Sequence, residues 1–203
     1  VPHVSYSVAS EADVSGAILR FQAENVKLVV FIAPSGIIQI LFMQEAEQQL
    51  YRPAYGMGDS SSTWFVASTA PENQIKGISG AGSLPLANVD SAQYPTTARE
   101  KRCLDLIRKG GENNAHRQSS ITATVYCEAI YAFVAVGERV SGKLTPAAFR
   151  AAYPTVGTSH APVTTFATNF ANGRHDNAAA YRLMAYSTQC SCMQYTGPTR
   201  RTS

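Results

Sequence analysis

The sequence has no hydrophobic run long enough to cross a bilayer. Its longest apolar stretch, residues 26–33, is interrupted by Lys27, whereas a transmembrane helix needs about 20 apolar residues. Charged residues are also few, at 15% of the 203 residues against 45% hydrophobic residues, a balance typical of a packed globular fold and not of a disordered chain. No secretory signal peptide is recognisable, and the opening at Val1 reads as a cut within a larger protein.

The basic residues lack the concentration of a nucleic-acid-binding surface. The formal net charge is +3, and the lysines and arginines are scattered apart from the pairs 101–102, 108–109 and 200–201. A nucleic-acid-binding protein gathers such charge on one face, with aromatic residues between. We therefore expect no nucleic-acid partner and interpret the short pairs as solvated helix ends.

Signatures of catalysis and of metal binding are missing as well. The sequence has no Gly-x-Ser-x-Gly elbow, phosphate-binding loop or His-Glu-x-x-His motif, and residues 80–83 resemble the elbow only superficially. We predict that the protein is not an enzyme and uses no cofactor or metal, with an unrecognised hydrolase as an alternative. The histidines have polar flanks and are interpreted as surface residues: His3, His116, His160 and His175. Asp105, Glu128 and Glu138 are interpreted as solvated charges on helix faces.

Four cysteines, at positions 103, 127, 190 and 192, favour disulfides and an oxidising compartment. Free thiols or a metal site are the alternatives, but Cys190 and Cys192 are one residue too close for a zinc-binding pair. Cys103 lies seven residues before Gly110, and Cys127 lies seven after Ser120. An antiparallel helical hairpin would bring these two level, at the ~5.5–6 Å Cα separation of a disulfide. We predict the bonds Cys103–Cys127 and Cys190–Cys192, the second needing a local bend.

Helical and strand-like segments alternate over the first ninety residues, which predicts βαβ units and a parallel sheet flanked by helices. We predict helices over residues 10–24, 37–50 and 62–70, and strands over 27–33, 52–57 and 77–81. The β-branched run 27–33 is typical of a strand buried on both faces. A long helix over residues 119–140 and short strands from residue 164 onward follow. We divide the chain into an α/β ligand-binding lobe (1–92), a helical segment (93–158) and a β-rich return segment (159–203).

Three stretches resemble the type I periplasmic binding proteins, in the branch of the branched-chain-amino-acid receptors. They are AILRFQAENVKLVVF at 17–31, FMQEAEQQLYRPAYG at 42–56, and the tail from Phe166 through Gly173, Ala180, Arg182 and Tyr186 to CSCMQY at 190–195. The second stretch is the most specific, because in this family a helix ending in Ala-Glu-x-Gln leads into an x-Pro-x-Tyr-Gly strand. The resemblance covers nearly the whole chain, from the second lobe of the family fold onward.

The resemblance implies a two-lobed receptor that captures a small polar solute, with an amino-acid-like ligand as one candidate, in an interlobe cleft by hinge closure. It would then present the solute to the membrane permease of an ABC importer. The implied location is extracytoplasmic, as a periplasmic or secreted protein or a cell-surface lipoprotein. The opening segment of the N-terminal lobe is missing, so the helices within 119–153 would pack on a missing lobe or on another chain. Three origins of the chain stay open: a proteolytic or engineered fragment, one of two halves that reassociate, or a natural half-receptor. A ligand-sensing or protein-interaction module on the same fold is the alternative function.

The candidate ligand-binding residues follow the predicted strands. Ligands of open α/β sheets bind outside the carboxyl ends of the strands, which here carry the small, hydroxyl-rich loops 34–36, 58–61 and 82–85. A helix N-terminus in such a loop suits a ligand carboxylate, and Asp59 could pair with a ligand ammonium. The alternative is that these residues only cap helices and form turns. The candidates are Tyr6, near the expected hinge, and Ser35, Gly36, Asp59, Ser60, Ser61 and Ser83.

Overall fold

The computed structural model describes residues 11–32, 36–113, 115, 117–171 and 178–202. These residues form two compact units. The first contains residues up to 82, Ala87–Asp90 and Leu183–Gly197, and the second contains Ser83–Leu86, Ser91–Arg182 and the residues from 198 onward. The division of the chain at residues 92 and 158 stays a prediction.

The first unit is an α/β structure in which the predicted strands and helices alternate. Its helices are α1 (Glu11–Ala23), α2 (Gly36–Gln48), α3 (Thr63–Thr69) and α4 (Glu72–Ile75), and a 3₁₀ turn covers Asp59–Ser61. Its strands are β1 (Leu28–Val30), β2 (Ala54–Met57), β3 (Ile78–Gly82), most of β4 (Ala180–Ser187) and β5 (Cys192–Tyr195). The short helix α5 (Pro85–Asn88) is shared between the two units.

The first three strands are parallel neighbours, which confirms the predicted sheet. Leu28 aligns with Ala54 in the β1–β2 pair, and Tyr55 aligns with Ile78 in the β2–β3 pair. β5 runs antiparallel to β4, and the strand order is β1-β2-β3-β4-β5. The sheet is therefore mixed, with a parallel part made by the first ninety residues and an antiparallel part made by the returning tail.

The two faces of the parallel part differ sharply in exposure. The aligned residues Val29, Tyr55 and Ile78 are all buried. On the opposite face Val30 is 60% exposed, and its neighbours Gly56 and Ser79 are half-buried and exposed. The prediction that β1 is buried on both faces is wrong, because none of the described helices covers the face that carries Val30.

Aromatic side chains fill the buried face. The ring of Phe42 on α2 is T-shaped to Phe31 at 5.4 Å and to Tyr55 at 6.3 Å, and Phe31 stacks on Tyr55 at 5.6 Å. Phe21 brings α1 into the cluster at 6.2 Å from Phe42. Such offset and edge-to-face pairs add to the apolar burial that fixes α1 and α2 on the sheet.

A polar network around Glu47 links α2 to the segments on either side of β2. The Glu47 carboxylate accepts hydrogen bonds from Arg52, Gln74 and Asn73, the shortest being 2.6 Å from the Arg52 guanidinium. Arg52, then Gln74 and Asn73, lower the pKa of Glu47 from 4.5 to about 2. Burial raises the pKa of Tyr51 to about 12, and the Tyr51 hydroxyl donates to the Val26 carbonyl at 2.9 Å.

The second unit is mainly helical. It contains α6 (Ala98–Lys109), α7 (Ile121–Gly137), α8 (Pro146–Ala152) and a 3₁₀ turn over Tyr153–Val156, and the short strand β6 (Arg200–Arg201) pairs with Ala180 and Tyr181 of β4. Thr97 and Thr145 cap α6 and α8 by accepting from the amides of Glu100 and Ala148. The strand predicted from residue 164 to 170 is wrong. Among the described residues, this segment makes one isolated bridge, between Thr168 and Ala178.

Buried polar pairs hold the second unit together. The Glu128 carboxylate on α7 accepts a hydrogen bond from His160 Nε2 at 2.8 Å. It also accepts from the backbone amides of Val163 and Thr164. His160 is only 5% exposed. The interpretation of His160 and Glu128 as solvated surface groups is therefore wrong, because their contact attaches α7 to the segment 160–164.

Both disulfides in the structure join the cysteines paired by the sequence argument. Cys103 on α6 bonds Cys127 on α7 with a Cα separation of 6.1 Å, and Cys190 bonds Cys192 at 5.1 Å. The residue between the second pair, Ser191, has a φ of 50°, which supplies the local bend that an extended strand lacks.

One face of α7 is apolar and exposed. Val125, Ile130 and Phe133 are 48%, 60% and 56% exposed, and Ala129 is exposed as well. These residues lie on the long helix predicted over residues 119–140. No helix in the described part of the chain is long and apolar enough to cross a membrane.

The two disulfides should differ in their contribution to stability. Replacing Cys103 and Cys127 together by serine should lower the free energy of unfolding by about 3 kcal/mol, because that bond closes a loop with a sequence separation of 24. The same replacement of Cys190 and Cys192, two residues apart, should change it little. Urea unfolding of both double variants measures the difference, and equal losses would contradict the loop-closure argument.

The Glu47 network should respond to acid. The pKa of Glu47 is lowered in the folded chain, so its contribution to stability is complete above pH 4.5 and is lost as the pH falls toward about 2. Glu47→Gln should be less stable than the parent at neutral pH, and the gap should narrow across that window. Urea unfolding between pH 2 and 7 measures the gap. Arg52→Gln, which removes the main cause of the shift, should weaken the same acid response, and a gap independent of pH would refute the assignment.

Candidate ligand-binding site

The carboxyl ends of the parallel strands define the candidate site. β1, β2 and β3 end at Val30, Met57 and Gly82, and because the strands are parallel these ends lie along one edge of the sheet. Of the predicted residues, Gly36, Asp59 and Ser61 lie in the first unit on the segments that follow β1 and β2. Two of the predicted residues, Tyr6 and Ser35, lie outside the described residues, as does the side chain of Ser60.

Ser83 follows β3 directly, is partly exposed and belongs to the second unit. The assignment of Ser35, Asp59 and Ser83 to one ligand-binding site stays a prediction. What the structure describes at this edge is the arrangement around Gly36, Ser61 and Asp59.

Gly36 brings the first turn of α2 against the 3₁₀ turn that follows β2. A Cβ at this position would lie 2.9 Å from the Ser61 carbonyl oxygen and 2.9 Å from Cγ2 of Val66. Both distances are too short for any side chain, so the approach requires glycine. Two of the predicted loops therefore meet through backbone contact.

Ser61 is fully buried and serves this junction. Its hydroxyl accepts a hydrogen bond from Nε2 of Gln39 on α2 at 3.2 Å. The next residue, Ser62, has a φ of 47°, a left-handed conformation that turns the chain into α3. Ser61 thus has a structural partner, and its hydroxyl fixes the turn that carries Asp59.

Asp59 belongs to a polar cluster at the end of β3. Its Oδ1 accepts from Nδ2 of the fully buried Asn88 at 3.0 Å, and the same nitrogen lies 3.4 Å from the Tyr195 hydroxyl. A Cβ on Gly82 would lie 1.9 Å from Asn88 Nδ2 and 2.6 Å from Asp59 Oδ1. The Asp59 carboxylate is therefore held in place by an amide, and glycine at position 82 leaves the space for that contact.

Three buried polar atoms on the same segments lack a hydrogen-bond partner among the described residues. They are Oε1 of Gln39, Oγ1 of Thr63 and Oδ1 of Asn88. Buried polar side chains are usually paired, and each exception calls for an explanation. Together with the Asp59 carboxylate, these oxygens make the segments that follow the strands rich in hydrogen-bond acceptors.

Sequence reasoning missed Gln39, Thr63, Asn88 and Tyr195. Gln39 and Thr63 follow the predicted loops closely and could have been found by extending each loop into its helix. Tyr195 lies 107 residues from Asn88, and no local pattern links the two. No group of three or more His, Cys, Asp or Glu residues in the described ranges could hold a metal ion.

No family model matches the sequence, and no curated protein matches it. Solved structures do match the fold. A branched chain amino acid ABC transporter from Thermus thermophilus with bound valine superposes with a TM-score of 0.72 at 15% identity, over 98% of this chain and 52% of that chain. An ABC transporter substrate binding protein from Aeropyrum pernix has a TM-score of 0.63 at 12% identity, over 96% and 50%.

An extracellular ligand-binding receptor from Rhodopseudomonas palustris HaA2 also matches, with a TM-score of 0.54 at 14% identity, over 93% of this chain and 51% of that chain. The chain thus spans about half the length of the structures that it matches. The resemblance to type I periplasmic binding proteins is confirmed at the level of the fold.

Proposed function

We propose that the chain is the ligand-binding part of an extracytoplasmic solute-binding protein of an ABC importer. In this proposal it binds a small polar solute that carries an ammonium group, such as an amino acid, and performs no covalent chemistry. The bound solute is handed to a membrane permease. The permease is the partner that the matched transporter structures suggest.

The acceptor-rich strand edge carries this proposal. Asp59 supplies a carboxylate whose position is set by Asn88 at 3.0 Å, and Gln39, Thr63 and Asn88 supply buried polar atoms without partners among the described residues. An ammonium group is a three-fold donor that requires such acceptors, and its charge is matched by Asp59. In the first unit this edge is also where ligands of open α/β sheets bind.

The extracytoplasmic location is supported by two disulfides, which persist in oxidising compartments. One matched structure is described as an extracellular receptor, which agrees with this location. A periplasmic or secreted protein satisfies both observations, whereas lipid anchoring at the cell surface stays an expectation of the resemblance alone.

The proposal includes a second polypeptide segment that completes the fold. Val30 on the open sheet face and Phe133 on α7 expose apolar surface, and parallel sheets are normally covered on both faces. The chain spans about half of each matched structure, so an α/β segment of similar size is the occupant that we propose for these surfaces. It is either continuous with this chain or a separate chain.

A ligand-sensing or protein-interaction module on the same fold is the second candidate. The exposed face of α7 favours it, because a large apolar patch marks a protein contact. In that case the partner of α7 would be a protein that transmits a signal, and transport would not be involved.

Native mass spectrometry of the protein purified from its own source separates the two functions. Solute binding predicts a species that is heavier than the 21.8 kDa chain. The added mass is that of a second polypeptide segment and of a small molecule, and the small molecule is released on collisional activation. A partner without a small molecule would favour the interaction module. A bare 21.8 kDa chain would contradict both the proposed partner and the proposed solute.

Replacing Asp59 tests the site itself. Calorimetry should show that Asp59→Asn weakens binding of L-valine by at least about tenfold, because a neutral amide replaces the carboxylate that pairs with the ammonium charge. Isovalerate, which lacks the ammonium, should lose much less affinity, so the preference for valine over isovalerate should collapse. Glu72→Gln, which removes an exposed acid elsewhere in the first unit, is the charge-matched control. Equal loss for both ligands would show that Asp59 only supports the fold.

A further inference from the structure

The second unit contains a cavity of about 420 Å³ that the proposed solute site does not use. Its wall is formed by α6, by the segment before it and by the turn before α7. Three basic side chains line it, Lys101, Arg108 and Arg117, with one acid, Asp105. A cavity of this size suits a small molecule and not a polymer.

Both arginines are held firmly in the wall. Arg117 and Glu100 form a buried pair with two contacts of 2.7 Å and side chains that are 2% exposed. Arg108 contacts Asp105 at 2.7 Å and donates twice to the Ala115 carbonyl, at 3.1 and 2.8 Å. Arg117 donates a third time, to the Tyr94 carbonyl. Each guanidinium thus uses three of its five N–H donors, and the remaining donors are fixed in position.

The other polar lining residues add hydrogen-bond donors to the cavity and add no further negative charge. Among the described residues, Lys101 has no ion-pair partner, and Nε2 of Gln118 is buried with no hydrogen-bond partner. The hydroxyls of Ser91 and Thr96 complete the polar lining. Since Asp105 already faces Arg108, and Arg117 faces Glu100, the charge of Lys101 is the one left unmatched in this wall.

We propose that this cavity is a binding site for a small oxyanion, a carboxylate or a phosphate. Lys101 supplies the charge, and Gln118 and the two arginines supply N–H donors to the oxyanion oxygens. Guanidinium groups match the geometry of carboxylate and phosphate oxygens. Because Glu100 and Asp105 hold the arginines before any ligand arrives, little side-chain entropy is lost on binding.

Titration of the 203-residue chain with inorganic phosphate, and separately with acetate, tests the proposal. Calorimetry should give saturable binding of one anion or both, with sodium chloride at matched ionic strength as the screening control. If both bind, each should compete with the other. The anion that binds more tightly then identifies the class of ligand.

Lys101→Gln should weaken anion binding by at least about tenfold, because it removes a hydrogen bond between charged groups. Lys109→Gln, at the exposed end of the same helix and outside the cavity lining, removes the same charge and should change the affinity less than about twofold. Urea unfolding checks that both variants fold like the parent.

Two results would overturn the proposal. One is the absence of saturable binding by either anion. The other is an equal loss of affinity in the two lysine variants, which would mean that overall charge and not the cavity attracts the anion. Asp59→Asn should leave the affinity for phosphate unchanged, so failure of the solute site and failure of this site are distinguishable.

Discussion

The parallel register of β1, β2 and β3 is the constraint on which the first unit depends. Aligning Val29 with Tyr55 and Tyr55 with Ile78 buries one face of the sheet against Phe42 and its aromatic neighbours. The same register brings the three strand ends to one edge, where α2 and the 3₁₀ turn begin. A shift by one residue would expose Tyr55 and turn the buried face toward solvent. The core and the acceptor-rich edge are therefore consequences of one alignment.

The parallel part of this sheet could be predicted from the sequence because its signals are local. Two local patterns are sufficient to identify β1 and β2: a β-branched run before Pro34, and an Arg-Pro-x-Tyr-Gly segment that follows a predicted helix. The exposure of Val30 could not be predicted, because the sequence of an apolar strand is the same whether one or both faces of its sheet are covered. The composition of the segment 164–170 is typical of a strand, but in the described structure this segment forms only the single bridge at Thr168.

Polar contacts between distant residues account for most of what the sequence did not reveal. Glu128 and His160 are 32 residues apart. The polar flanks of His160 and the position of Glu128 on a predicted helix suggested that both were solvated. They are buried because the segment 160–164 returns to contact α7. No local sequence pattern predicts this contact. Asn88 is a similar case, since its role depends on Asp59 and Tyr195 arriving from two other parts of the chain. Of the candidate site, the loops were predictable, whereas the side chains that hold Asp59 in position were not.

The return of Leu183–Gly197 to the first unit has a consequence for the order in which the protein folds. Tyr195 reaches Asn88 across 107 residues, so the sheet of the first unit is completed only after almost the entire chain has been synthesised. Most of the second unit, Ser91–Arg182, lies between these two residues in the sequence, and its Cys103–Cys127 bond joins residues only 24 apart. Contacts between distant residues form slowly, whereas local ones form early. The helical unit is therefore expected to fold and form its disulfide first. Until β4 and β5 have been synthesised, the β3 edge of the sheet stays unpaired.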